Sequence, residues 1–274
     1  MDSIWSQTTT APEFSTLKQD VDTDVLIIGG GLAGVLCAHM LQEKGVSYIL
    51  TEASRIGSGT TKNTTAKLTC QHGVFYRELV KKFGRQPAKL YLEANEAALD
   101  KLRSLADKMD CDLERKDAYV YSLDDYDKIA DEYKALTDAG FHCTLVEETP
   151  LPFSVAAALR YENQAQFHPL KFLYGIAQGL HIYENTQIIE IAKQNNGYTA
   201  TFSGGKISAK KIIVATHFPF MNKYGGYFVK MYQHRSYLIA LENAPDLNGM
   251  YVDEAKTGMT FRNYKNLLFV GGGG

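Results

Sequence analysis

What this chain has little of narrows its chemistry before any motif is read. Its four cysteines, Cys37, Cys70, Cys111 and Cys143, stand far apart with no Cys-x-x-Cys pair, so neither a zinc ribbon nor a dithiol redox motif is written here. They read as free thiols of a reducing compartment, which points to a cytoplasmic protein. The seven histidines are scattered, without carboxylates at helical or hairpin spacing, so no metal site is expected. Excess charge of one sign is missing too. A formal net charge of -2 supplies no field for gripping phosphate backbones, which argues against a nucleic-acid partner. There is no long apolar run. The longest, Val25 to Ala38, is broken by Gly29, Gly30, Gly31 and Gly34 and is too short to span a bilayer. The opening MDSIWSQTTTAPEF lacks the basic and apolar regions of a secretory signal, and residues 1–20 read as an arm.

What is present is a composition for a sizeable core: 274 residues, 45% hydrophobic and 22% charged, with no signature of disorder. From Thr23 the text TDVLIIGGGLAGVLCAHMLQEKGVSYILTEA reads as strand, glycine turn, helix and strand. Residues 84–109 carry apolar side chains at helical spacing, as one or two amphipathic helices would. A strand (AYVYSL), an acidic helix (124–139) and a second strand (HCTLVE) follow. HPLKFLYGIAQGL begins a helix near Phe167, with Pro169 suited to its first turn and His168 at its start. IYENTQIIEIAKQ reads as one strand, NNGYTATFSGGKISAKKIIVATH as a hairpin, and residues 218–262 as an aromatic, β-rich stretch. LLFVGGGG reads as a strand entering a glycine loop.

The strongest motif is Gly29-x-Gly31-x-x-Gly34, between an apolar strand and a helix, with Glu52 ending the next strand. In such a unit the first glycine allows the tight turn, the second lets backbone approach a pyrophosphate, and the third permits close helix packing. The helix start adds N–H groups and positive dipole. Glu52 would accept hydrogen bonds from a ribose diol, and an acid there disfavours a 2′-phosphate. Leu32, Ala33 and Ala53 fall inside this dinucleotide signature. The fingerprint alone does not separate NAD from FAD. Downstream, GSGTTKNTTAKLT (57–69), with Lys62, Asn63, Thr64 and Thr65, offers small and hydroxylic residues for a pyrophosphate and ribityl chain; an ordinary polar loop is the alternative. IIVATH, with Ala215, Thr216 and His217, ends a strand in small residues that allow close backbone approach.

In this order, over about residues 23–274, these pieces resemble FAD-dependent oxidoreductases of the D-amino-acid oxidase/glycine oxidase superfamily. The resemblance implies that Gly29, Gly31, Gly34 and Glu52 hold the AMP half of a non-covalent FAD. Lys62-Asn63 stands where Arg-Asn is usual. Thr186, Ile188 and Ile191 match the strand that frames adenine. Ala215-Thr216-His217 matches an Ala-Thr-Gly turn, with histidine in place of glycine. Gly271, Gly272 and Gly273 match a cofactor loop after which relatives continue into a helix, so the natural protein is expected to extend past Gly274. TTKNTTAKLTCQHG and FRNYKNLLFVGGGG are most similar to the subgroup often fused to a C-terminal Rieske iron–sulfur domain, which makes such a domain a candidate electron acceptor; this chain has neither Cys-x-His nor Cys-x-x-His.

The implied fold is α/β (α+β overall): a Rossmann-like FAD-binding domain of residues 21–110, 164–217 and 265–274, with an inserted β-rich substrate domain of 111–163 and 218–264. The implied activity is oxidation of a C–N bond of an amine or amino acid by hydride transfer to flavin, so that the protein orients the substrate and excludes water. Arg262 is the candidate fork for a substrate carboxylate, against a structural arginine. Tyr237 or Tyr251 would hydrogen-bond substrate, though most of 17 tyrosines must be structural. His72, titrating near neutrality if unperturbed, would meet flavin or amine, against a packed histidine. Lys67 would stabilise reduced flavin, against a solvated lysine. Two other readings keep the fold: a different flavin reaction, and a non-catalytic electron-transfer module.

Overall fold

The computed structural model describes residues 2–221 and 226–272. By their contacts these residues group into two compact units. One contains residues up to Thr64, Met109–Cys111 and His168–Gln233; the other contains Thr65–Lys108, Asp112–Phe167 and His234 onward. The division differs from the expected segments: the helical region 65–108, residues 164–167 and the last strand group with the second unit, and Cys111, 218–221 and 226–233 group with the first.

The first unit is built on a six-stranded sheet in the order Ile182–Tyr183, Tyr48–Thr51, Val21–Ile28, Gly205–Val214, Gly197–Phe202, Ile188–Gln194. The first four strands run parallel, and the last two turn back as antiparallel hairpin partners. The run VLII occupies the sheet centre, and its four side chains are buried, as expected of a strand covered on both faces. Leu26 and Ile28 pack with Leu17, Ile188, Ala200 and Phe202.

IYENTQIIEIAKQ is two strands, not the single one expected. Ile182–Tyr183 and Ile188–Gln194 lie at opposite edges of the sheet. Between them Asn185 adopts a left-handed backbone, φ 49°, and Glu184 is drawn inside, 1% exposed. A left-handed residue ends strand pairing, and Asn tolerates that conformation.

The second unit carries an eight-stranded sheet. Its path runs Tyr237–Glu242, Leu267–Gly272, Met259–Tyr264, Met250–Asp253, Glu114–Ser122, Ala157–Gln166, Lys67–Leu68, with Thr144–Val146 pairing to Ala157–Gln166. The amphipathic pattern after Gly84 forms one 22-residue helix, Arg85–Ala106. Helix Tyr126–Asp138 is capped by the Asp125 side chain, which accepts the Lys128 N–H. Ile129 and Leu136 from this helix, with Leu92 and Leu99, pack on Val120, Leu159 and Tyr161. Among the described residues no helix is long and apolar enough to cross a membrane.

Candidate FAD-binding site

The glycine turn is shaped by contacts that exclude side chains. Gly29 has φ +114°, and a Cβ there would lie 2.6 Å from the Ala215 carbonyl oxygen; at Gly34 it would lie 1.9 Å from the Gly29 oxygen. Both positions therefore require glycine so that strand Val21–Ile28, helix Leu32–Glu43 and strand Gly205–Val214 can meet. Gly31 differs: a Cβ there would meet only the Thr61 hydroxyl, at 3.4 Å. Its bareness leaves the helix start open. No side chain of the cap residue bonds that start, and the Leu32 N–H donates to Thr61 Oγ1 at 3.2 Å. N–H groups and dipole thus face outward, as anion binding needs.

These elements surround a cleft of about 1220 Å³ at the C-terminal ends of the parallel strands, the position at which open α/β sheets receive ligands. Glu52 lies on its wall. One carboxylate oxygen accepts the Gly30 N–H at 2.7 Å and the other the Ser54 N–H at 2.9 Å, which fixes the group and leaves lone pairs for further donors. Gly29, Gly31, Leu32, Ala33, Ala53 and Thr64 line the cleft, as do Ile188, Ala215, Thr216 and His217. His217 sits in the left-handed region, φ 63°, where glycine is at ease; that accounts for a glycine in the turn it resembles. Open helix start, free carboxylate capacity and small walls fit the ADP part of a dinucleotide.

Other expected cofactor residues lie off this wall. Lys62 and Asn63 belong to the short 3-10 helix Thr60–Asn63, and the Asn63 amide donates to the Gly59 carbonyl. Thr65 belongs to the other unit. The expected glycine loop is strand through Gly272: Gly271 pairs with Leu238 and Thr260, and Gly272 with Tyr237 and Met259. Gly273 lies outside the described residues. Sequence reading missed Gln187 and Phe220 on the wall. It also missed the buried Glu184, which accepts the Ile56 N–H at 2.8 Å and pairs with Arg55 at 2.9 Å. No local pattern marks Glu184, because its partners are more than a hundred residues away in sequence.

The residues put forward for chemistry stand in the second unit, where Lys67, Tyr251 and Arg262 come together. Arg262 is 1% exposed, and its Nη1 donates to the carbonyls of Thr65 and Ala66 at 2.6 and 2.9 Å. It holds the chain there rather than presenting a fork to solvent. Lys67 Nζ donates to the Tyr251 carbonyl at 2.8 Å and to the Thr260 hydroxyl. Burial, with the Arg262 charge second, brings its pKa down to about 7. Tyr251 is buried, its hydroxyl donating to the Leu247 carbonyl. Tyr237 is 66% exposed on an edge strand. His72 is exposed, with Nε2 3.0 Å from Asn95 Oδ1. His168 caps helix Pro169–Ala177, as its position suggests.

Comparison with known proteins agrees with this geometry. The profile of the DAO family, described as FAD dependent oxidoreductase, matches residues 24–274. A Bacillus subtilis protein named as a Rieske 2Fe-2S iron-sulfur protein, YhfW, is 35% identical over 98% of this chain and 56% of its own length. The Escherichia coli gamma-glutamylputrescine oxidoreductase is 24% identical over 74% of this chain and 50% of its own. The chain spans about half the length of these curated relatives. Among solved structures, L-proline dehydrogenase from P. horikoshii superposes with a TM-score of 0.73 at 16% identity, covering 93% of this chain and 70% of that one. Glycine oxidase from Geobacillus kaustophilus gives 0.66 at 19%, covering 91% and 70%. With the family profile matched over residues 24–274, the chain belongs to the FAD-dependent oxidoreductase (DAO) family.

Proposed function

We propose that this chain is the FAD-binding and substrate-domain portion of an enzyme that oxidises a C–N bond of an amine or amino acid. The observation that carries the proposal is the cleft, where an open helix start and the fixed Glu52 carboxylate face the same space. FAD, held without a covalent bond, would supply the hydride acceptor. Glu52 would accept the ribose hydroxyls and the Gly31–Ala33 backbone would face the pyrophosphate. Thr186 and Ile188 would frame adenine, and Ala215, Thr216 and His217 would line the path onward. Lys62, Asn63, Thr65 and Gly271–Gly273 would complete the cofactor's surroundings.

For the chemistry, Lys67 is the residue of choice. Its amine, with a pKa of about 7, can hold or release a proton at Nζ near neutral pH. Arg262 would act by holding the Thr65–Ala66 backbone beside it, while Tyr237 and His72, both exposed, would meet substrate from solvent. Amine-type substrates fit the names of the relatives, gamma-glutamylputrescine oxidoreductase and glycine oxidase among them. A Rieske iron–sulfur centre is the proposed electron acceptor, in line with the name of the Bacillus relative, and the cytoplasm the proposed location.

The test is a visible spectrum of the purified chain, repeated on the supernatant after denaturation, then an anaerobic screen of amines and amino acids. Released FAD that an amine bleaches supports the proposal. Flavin that stays with the precipitate refutes non-covalent binding, and bound flavin that no amine reduces favours a different flavin reaction or an electron-transfer module.

A further inference from the structure

The expected arm, residues 1–20, is bonded at four points to residues that line the cleft or adjoin its wall. Trp5, 1% exposed, donates its indole N–H to the Thr64 carbonyl at 2.9 Å, and Thr64 lines the cleft. Thr8 Oγ1 lies 2.9 Å from His168 Nε2. The other ring nitrogen of His168 accepts the Lys171 N–H at 3.1 Å, so Nε2 carries the proton and donates to Thr8. The helix that His168 caps presses Leu170 and Leu173 on Gly57, where an added Cβ would lie 2.8 and 2.7 Å from their methyl carbons. Gly57 is also a cleft residue.

The third point is an ion pair in which Glu184 is buried and Arg55 is partly exposed. The Pro12 carbonyl accepts from Arg55 Nη2 at 2.7 Å, and Arg55 pairs with Glu184 at 2.9 Å. Glu184 in turn accepts N–H groups of Ile56 at 2.8 Å and Phe14 at 3.5 Å, so one carboxylate ties the arm to the loop after Glu52. Fourth, the Leu17 N–H donates to Thr186 Oγ1 at 3.2 Å, and Thr186 lines the cleft. The Trp5 and Pro12 contacts thus fall on the loop 53–64 and that of Leu17 on Thr186, while Thr8 and Phe14 reach the loop through His168 and Glu184. A segment that only shielded core would have no reason to collect its polar bonds there.

We propose that residues 3–17 are a strap of positioning residues for FAD, holding the loop 53–64 and Thr186 in the arrangement that receives the cofactor, so that strap docking and FAD binding are linked. The inference rests on the cleft being the FAD site. Linkage is reciprocal: if the docked strap raises FAD affinity, FAD must stabilise the docked strap by the same factor.

Trp5 is the chain's only tryptophan and reports docking directly. In the full chain its emission is followed through a urea titration with and without FAD, beside far-ultraviolet circular dichroism. The strap predicts that FAD moves the Trp5 transition to higher urea by more than it moves the loss of secondary structure. In parallel, the double variant Trp5→Phe/Thr8→Val keeps apolar side chains at both positions and removes both side-chain hydrogen bonds; its FAD Kd should rise about fivefold or more, the lower end of ordinary coupling between sites. An unchanged Kd in a folded double variant, or a Trp5 transition indifferent to FAD, overturns the strap while leaving the cofactor site standing. Should the double variant not fold, the Trp5 transition of the unaltered chain decides alone. A full chain that takes up no FAD overturns both readings.

Discussion

Glu52 of the first unit and Glu132 of the second are satisfied in opposite ways. In the first, the start of helix Leu32–Glu43 has no side chain on its cap residue and one outside acceptor, the Thr61 hydroxyl at Leu32, and each Glu52 oxygen accepts one backbone N–H beside an open cleft. In the second, Glu132 is completely buried, yet its carboxylate accepts three N–H groups, from Phe75, Tyr76 and Arg77, at 2.6–2.9 Å. Arg262 likewise faces protein carbonyls. A polar group left with capacity at a cleft is available to a ligand, whereas a buried one must be satisfied internally because its desolvation is costly. The comparison separates binding residues from scaffold residues of the same chemical type: Glu52 and Glu132 are both glutamates, and only Glu52 faces open space.

The largest effect that would break this contrast is on Glu132. Replacing it with alanine leaves three N–H groups at the start of helix Tyr76–Phe83 without their acceptor, and stability should fall by about 3 kcal/mol, read by denaturant unfolding of the apoprotein. A loss under ~1 kcal/mol would mean that water replaces the carboxylate and the burial argument fails. Glu52→Gln comes next, and its effect should appear in binding rather than stability. Hydrogen bonds to a charged group contribute ~1.5–3 kcal/mol, so the FAD Kd should rise about 10- to 100-fold by flavin fluorescence titration. An equal loss of apoprotein stability would place Glu52 with the scaffold.

The smallest effect concerns Lys67. Its pKa falls from an ordinary 10.5 to about 7 on folding, through burial first and Arg262 second. Between those values the unfolded chain binds more protons than the folded one, so this group's contribution to stability improves as pH rises from about 7 to 10.5 and is least favourable below pH 7. Lys67→Met should therefore stabilise the apoprotein by about 1–2 kcal/mol at pH 6, with the gain fading by pH 10. The Tyr251 carbonyl keeps the Thr260 hydroxyl as donor at 2.8 Å, so the variant leaves no orphan there. A gain independent of pH would show that Lys67 is not buried as a cation.

Much of the cleft was legible because its signals are local. Gly29, Gly31, Gly34 and Glu52 fall within one strand-turn-helix-strand unit, where spacing along the chain is spacing in the fold. The helix start at His168-Pro169 and the hairpin before IIVATH were legible for the same reason. Glu184 was not: in IYENTQII it reads as one polar residue in a strand, and its partners Ile56 and Phe14 are supplied by distant segments. The arm was equally opaque, since a lone aromatic residue such as Trp5 carries no sign of the carbonyl it will meet. Arg262 looked like a substrate fork because it precedes an apolar strand, and only folding turned it toward Thr65 and Ala66.

By itself, then, the order of residues determined the βαβ unit, the need for glycine at its turn and the acid at the next strand end, because hydrophobic period and backbone sterics act over a few residues. The tertiary structure alone decided which charges are buried, which residues the arm bonds, and that Ile182–Tyr183 and Ile188–Gln194 go to opposite edges of one sheet. Those outcomes depend on contacts between segments far apart in sequence, where desolvation and hydrogen-bond satisfaction are settled only when the partners arrive.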